Sequence, residues 1–477
     1  MPRNTKIVAT LGPASSDRAT LRRLLAAGVD VVRLNFSHGR HDDHRARIAL
    51  LRELLPEFAD RTIGFLADLQ GPKIRVGKLA EGKTLLVPGQ AYILDAACQL
   101  GDGERVGLDY PELVREVAAG DVLLLDDGRL VFDVEDVRGQ EVRCRVRVGG
   151  MLSNNKGVNR QGGGLSAPAL TAKDMDDIVV AAELGVDYVA VSFPKSGADI
   201  ELARRLLRAA GSDARLIAKI ERAEAIPALE EILDAADGIM VARGDLAVEV
   251  GDAAVPALQK RMIRLAREKN KLTITATQMM ESMIASPVPT RAEVSDVANA
   301  VLDGSDAVML SAETASGQFP VETVEAMART CIEAEKSAEV RLDHEMLDRV
   351  FDRIDQSVAM AAIWTAHHLK VKAIAALTQS GATTLWMSRL NCGVPIYALT
   401  PELRTRYRLS LYRNVSPLSI VTEGKDRETL LLEAERLLLA KGVVQPGDLI
   451  ALTVGEPIGQ PGGSNTLKIV KVGAAVA

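Results

Sequence analysis

The feature that most constrains this chain is an eightfold alternation. Short, nearly continuous apolar runs occupy residues 6–10, 29–34, 62–67, 188–191, 216–219, 238–241, 272–275 and 307–310. Apolar runs of this kind suit parallel strands buried on both faces. Amphipathic stretches with helical spacing cover 17–27, 42–55, 173–184, 199–210, 224–235, 255–268, 291–302 and 321–338. Thr290 and Glu293 have the spacing of a capping box, and Thr171 precedes an acidic first turn. Eight β-α repeats predict an α/β fold of the (β/α)8 barrel type. An open doubly wound sheet is the alternative, and eight consecutive units disfavour it.

The third run is the exception, since no helix follows it directly. Residues 73–167 switch to short β-like runs with Gly and Pro turn signals, and 141–148 alternate with period two. This predicts a small β domain inserted in a βα loop, hung over the active-site end of the barrel as a lid. From about residue 345 a further α/β unit begins, with a helix at 357–369 and strands at 373–377, 396–399 and 449–452. The expected division is a barrel of 1–72 plus 168–344, a lid of 73–167 and a C-terminal domain of 345–477.

Composition removes several classes of function. The 477 residues carry 58 Lys+Arg and 64 Asp+Glu, a net charge of −6, and aromatics are 3%. Neither a basic surface nor stacking platforms for nucleic acid are expected. No apolar run approaches the roughly 20 residues of a membrane span. The start runs straight into a strand, so no leader peptide is expected. Four scattered cysteines form neither a disulfide framework nor a zinc motif, which favours a reducing, cytoplasmic setting. His41 and His44 lack a third ligand for a metal.

The chemistry gathers at the C-terminal ends of the eight runs, where barrels of this kind build active sites. Those ends carry Thr10; Arg33, Asn35, Ser37 and His38; Asp68; Ser192; Lys219 and Glu221; Arg243, Gly244 and Asp245; Thr277 and Gln278; and Ser311 and Glu313. Residues two apart on a strand share a face, which pairs Lys219 with Glu221 and Arg243 with Asp245. Glu221 and Asp245 offer hard oxygen donors suited to Mg²⁺. Lys219 and Arg33 add fixed positive charge. A divalent metal beside fixed cations suits phosphoryl transfer, which depends on positioning and electrostatics.

These residues stand in segments that resemble the pyruvate kinase family over essentially the whole chain. The segments are 10–15, 33–39, 68–75, 155–159, 216–221, 238–246, 276–283 and 289–299. The resemblance implies Mg-dependent transfer of phosphate from phosphoenolpyruvate to ADP, giving ATP and pyruvate, with Mn²⁺ as an alternative metal. By that resemblance Lys219 and Arg33 stabilise the transferring group, and Glu221 and Asp245 hold the metal. Gly244, Asp245 and Thr277 position the substrate carboxylate, and Thr277 and Ser311 deliver a proton. Asn35, His38, Arg75 and Lys156 contact nucleotide. A homotetramer is the expected assembly.

One departure stands out. Many relatives hold K⁺ with residues matching Asn35, Ser37, Asp68 and the backbone of Leu69. They carry Thr-Lys where this chain has Leu69-Gln70, and Glu where it has Lys73. An ammonium there supplies the monovalent charge covalently and repels K⁺. The chain thus resembles a K⁺-independent, bacterial-type subgroup in which Lys73 replaces the ion.

In the C-terminal domain, Thr378, Ser380, Gly381 and Thr383 follow a strand and open a helix, a setting for a phosphorylated metabolite effector. The Gly- and Pro-rich segment 455–466 resembles the family's mobile effector loop. Two other readings remain at this level. A catalytically silent sensor is disfavoured by the presence of Lys219, Glu221, Asp245 and Thr277. A barrel lyase without nucleotide is disfavoured by the lid and Lys156.

Overall fold

The structure is a computed structural model, and it describes residues 3–337, 350–390 and 392–473. The expected boundary at 344/345 and the end of the helix at Ala338 lie outside the described residues.

Eight parallel strands close a barrel: β1 (Lys6–Leu11), β2 (Val31–Asn35), β3 (Gly64–Asp68), β4 (Tyr188–Val191), β5 (Arg215–Ile220), β6 (Gly238–Ala242), β7 (Leu272–Ala276) and β8 (Ala307–Leu310). Each strand pairs with its sequence neighbours, and β8 closes onto β1 with Lys6 beside Ala307. The β-branched and aliphatic runs are buried on both sides, which is why they read as unbroken apolar stretches. Helices Arg18–Ala27 and Arg291–Leu302 begin on side-chain caps: Asp17 accepts from Thr20 N, and Thr290 accepts from Glu293 N.

Two local expectations need correction. The stretch 224–235 is not one helix. It is a short 3-10 turn at Ala223–Ala225 and a helix at Leu229–Ala235. Pro227 lies between them, and proline lacks the donor that a continuous helix requires. A helix at Arg243–Val250, absent from the sequence reading, starts directly after β6. Gly244, a poor helix former, and the β-branched Val248 and Val250 weaken its helical signal.

The insertion after β3 contains a six-stranded sheet centred on the antiparallel pair Leu130–Arg138 and Glu141–Val148. Val142, Cys144 and Val146 face its core, while Arg145 pairs with Glu135 on the solvent face. That is the two-residue alternation expected of a sheet wetted on one side.

The C-terminal unit is a five-stranded sheet: β9 (Ala373–Leu377), β10 (Ile396–Thr400), β11 (Val415–Ser419), β12 (Leu449–Gly455) and β13 (Ser464–Lys471), with only β13 antiparallel. One apolar cluster joins barrel residues Val8, Leu66, Tyr188 and Met240 to Ile363, Leu409 and Tyr412 of this unit. The C-terminal unit therefore stops the N-terminal mouth of the barrel. A buried ion pair, Arg389 with Asp306, crosses the same boundary, and Arg389 also donates to Lys271 O at 2.8 Å.

Candidate active site

The opposite mouth of the barrel, at the strand C-termini, gathers the polar side chains. Lys219, next to last on β5, is the hub. Its ammonium lies 2.7 Å from Ser192 Oγ, 3.0 Å from Glu221 Oε1 and 3.2 Å from Asp68 Oδ1. Burial opposes its charge, but Asp68 and Glu221 outweigh burial and the repulsion of Arg33, so its pKa is raised. Lys219 is a permanent cation. Arg33 donates from Nε to Asp68 Oδ2 at 2.6 Å and from Nη1 to Thr10 Oγ1 at 2.8 Å. Asp68 is itself fully buried; these two cations more than offset the desolvation that would protonate it, and its pKa is lowered. Two cations thus stand beside one ionised carboxylate, and a phosphoryl group could compete for both.

Glu221, just beyond β5, accepts Phe193 N at 3.0 Å. Burial raises its pKa; Lys219 opposes this, while the nearby charges of Asp245 and Asp68 add to it. Like-charged carboxylates crowded in a buried site are what a divalent cation relieves. Glu221 and Asp245 together fit a Mg²⁺ that fills its remaining positions with water and substrate oxygens.

The strand-face pairing of Arg243 with Asp245 is not observed, because the helix Arg243–Val250 begins there and the two-residue period no longer applies. Arg243 turns instead to the next strand end. It donates to Ala276 O at 3.1 Å, Thr277 O at 2.7 Å and Asp296 Oδ1 at 2.6 Å. These bonds hold a turn in which Thr277 and Gln278 have φ of 67° and 55°. Phe193 has φ of 54° at the end of β4. Left-handed backbone at non-glycine residues costs energy and marks places where the fold imposes a geometry. Thr277 Oγ1 accepts Gly244 N at 2.9 Å and donates to Ala276 O at 2.7 Å. Ser311 follows β8, and its amide donates to Glu313 Oε2 at 2.7 Å.

Lys73 donates to Asp245 Oδ1 at 2.9 Å and lies 3.6 Å from Asp127 Oδ1 of the inserted domain. Burial opposes its charge, yet Asp245, Asp127 and Glu221 raise its pKa. The structure thus seats this ammonium on Asp245 and Asp127, and none of its hydrogen bonds or ion pairs reaches Asn35, Ser37, Asp68 or Leu69, the set among which it was expected. Asp68 is paired with Arg33 and Lys219, Asn35 Oδ1 accepts Ser37 N at 3.1 Å, and Leu69 O accepts Ser192 Oγ at 2.7 Å.

Burial, and then the charges of Arg75, Arg33 and Lys73, lower the pKa of His38. Arg75 donates to Asn155 O at 3.0 Å, and Lys156 pairs with Asp126 at 2.7 Å. In the C-terminal unit, Thr378 and Thr383 line one cavity with Ile458 and Gly462 of the last loop and Ser464 at the start of β13. Thr378 Oγ1 accepts Gly381 N at 2.9 Å, and Thr383 Oγ1 donates to Ser464 Oγ at 2.7 Å. Ser380 turns its carbonyl toward Arg215, 3.5 Å away. Sequence reasoning missed the bracing role of Arg243 and the backbone strain at Phe193; neither has a local signal.

The arrangement defines a (β/α)8-barrel enzyme whose strand tips collect two candidate metal carboxylates and two fixed cations under an inserted domain. Comparison with known proteins is specific. The family model described as pyruvate kinase, barrel domain, matches residues 2–324, and that of the pyruvate kinase alpha/beta domain matches 356–470. The chain is 51% identical to pyruvate kinase II of Salmonella typhimurium over 476 residues, covering 98% of this chain and 99% of that one. It is 50% identical to a pyruvate kinase of Haemophilus influenzae, covering 95% and 96%. The crystal structure of a pyruvate kinase from Cryptosporidium parvum superposes with a TM-score of 0.91 at 33% identity, covering 98% of this chain and 96% of that one. The chain belongs to the pyruvate kinase family, and it is a phosphotransferase.

Proposed function

We propose that this enzyme transfers the phosphoryl group of phosphoenolpyruvate to ADP with Mg²⁺ held by Glu221 and Asp245. The observation that carries the reading is the Lys219 hub, a buried ammonium within 3.2 Å of both Asp68 and Glu221. Lys219 and Arg33 hold the transferring phosphoryl oxygens, where negative charge spreads during transfer. The metal, when bound, supplies Lewis-acid polarisation of substrate oxygens. The Gly244 amide and the Thr277 hydroxyl orient the substrate carboxylate. Thr277 and Ser311 supply the proton that converts the enol product to pyruvate. Asn35, His38, Arg75 and Lys156 receive the nucleotide, the last from the inserted domain.

Lys73 fixes a monovalent charge inside the carboxylate cluster, which supports turnover without K⁺. The cavity between Thr378, Thr383 and the last loop supports a phosphorylated metabolite effector. Exposed Val294 and Leu302 on the helix Arg291–Leu302, and Trp364 and Leu369 on Ile354–Leu369, support assembly as a homotetramer. Among the described residues no helix is long and apolar enough to cross a membrane. The proposed setting is the cytoplasm, and the proposed division is 1–72 plus 168–344, 73–167 and 345–477.

A coupled assay of ATP formed from phosphoenolpyruvate and ADP tests the central reading. Lys219→Met should lose about a hundred- to a thousandfold in kcat, a typical scale for removing an electrostatic stabiliser, with the circular dichroism of the wild type. Turnover near wild type in that variant overturns the role of Lys219.

A further inference from the structure

The helix Arg243–Val250 carries Asp245 in its first turn and Glu249 in its last. Four residues apart, the two project from the same face. Glu249 is 7% exposed and plays no part in the reaction described above. Its Oε2 accepts Ala223 N at 2.8 Å, two residues beyond Glu221. Its Oε1 lies 3.5 Å from Asn159 Nδ2, and its backbone carbonyl accepts Gly162 N at 3.1 Å. Asn159 and Gly162 belong to the segment by which the inserted domain returns to the barrel.

Neighbouring contacts repeat the pattern. Glu224 accepts Gly164 N, and a side chain at Gly163 would strike Glu224 Oε2 at 2.7 Å. Arg222 reaches Leu165 O and Ala167 O, each at 3.4 Å. The outgoing link is attached to the same helix through Lys73 and Asp245. Both connections of the inserted domain therefore end on one eight-residue helix, and Glu249 joins that helix to the residues that follow Glu221.

We propose that Glu249 is a positioning residue that ties the return link of the inserted domain to both metal carboxylates, so that docking the domain and shaping the metal site are one event. The inference rests on Glu221 and Asp245 being the ligands. Outer-shell partners of metal ligands commonly change metal affinity about 10- to 100-fold.

The test measures Mn²⁺ binding to the substrate-free enzyme by electron paramagnetic resonance, alongside hydrogen exchange and steady-state kinetics. Glu249→Ala should weaken Mn²⁺ binding about tenfold or more. It should also speed amide exchange at Ala223 and Gly162, and raise the Mg²⁺ half-saturation more than it lowers kcat. Glu249→Gln, whose amide oxygen still accepts Ala223 N, should restore most of each effect. Glu249→Asp, which keeps the charge but shortens the reach, gives the alanine pattern with the least disturbance of folding. Wild-type Mn²⁺ affinity in Glu249→Ala and Glu249→Asp overturns the proposal, as does failure of Glu249→Gln to recover it. Glu221→Gln serves as the control. Wild-type Mn²⁺ binding in that variant overturns the ligand assignment, and the inference with it.

Discussion

The ammonium of Lys73 rests 2.9 Å from Oδ1 of Asp245, so the segment that leads into the inserted domain is clipped to a carboxylate of the barrel. The same ammonium lies 3.6 Å from Asp127 Oδ1, so it bridges the barrel and the inserted domain. Its charge is stabilised by Asp245, Asp127 and Glu221 against the cost of burial.

Charge reversal at this point should create an ion requirement. With wild-type enzyme, adding K⁺ at constant ionic strength should change the initial rate less than about twofold, whereas Lys73→Glu should be nearly inactive without K⁺ and recover at least about tenfold with it. A Coulomb interaction of several kcal/mol between near charges in a partly buried site supports effects of this size. Strong K⁺ activation of the wild type would remove Lys73 from the role.

Arg243 should behave as a brace and not as a substrate contact. Arg243→Leu removes its bonds to Ala276 O, Thr277 O and Asp296 and frees a turn held at positive φ. The expected result is a fall of about 10- to 100-fold in kcat, in keeping with the steep cost of small misplacements. A crystal structure of the variant should show Thr277 displaced. An undisturbed Thr277 with normal kcat would contradict this reading.

The Arg389–Asp306 pair should be costly to break from one side. Arg389→Met leaves Asp306 buried without its bidentate partner, which typically costs about 3–5 kcal/mol. Thermal unfolding followed by circular dichroism should show a clear drop in Tm. The double variant Arg389→Met/Asp306→Leu should recover part of it, although Thr273 N and Arg413 N then lose their acceptor.

Asp187 gives a pH dependence of stability. Burial raises its pKa from 3.8 to about 7, only partly opposed by the bond from Phe65 N and by Arg408, Arg404 and Arg52. The folded chain therefore holds a proton between these two values that the unfolded chain has released. This contribution to stability is greatest below pH 3.8, falls as pH rises toward about 7 and levels off above it. Asp187→Asn keeps an acceptor for Phe65 N and removes the titration. Relative to wild type, the variant should gain Tm steadily from about pH 4 to about pH 7. A constant difference across that range would show that Asp187 is ionised throughout.

The barrel was readable because parallel strands buried on both sides leave long apolar marks, and because the polar residues at their ends stand out against them. Lys219 and Glu221 illustrate this: they come together at the end of β5 as the strand period predicts. Arg243 and Asp245 show the limit. Val248 and Val250 favour strand locally, while the start of β6's following helix is set by tertiary packing around Leu246, which is fully buried. Lys73 was marked as unusual by its departure from the Glu of the family it resembles, but its partner, Asp245, lies 172 residues away. Contacts at such separation leave no periodic trace. The same holds for Glu249, whose carboxylate looks in sequence like one more solvated charge.

The apolar seam shared by Val8, Met240 and Tyr412 has a consequence for how such enzymes diversify. A gene cut near residue 337 would encode all eight strands of the barrel, yet its product would expose a greasy floor to water. Shuffling the last third of the chain between distant relatives would succeed only where the two mating surfaces had drifted together.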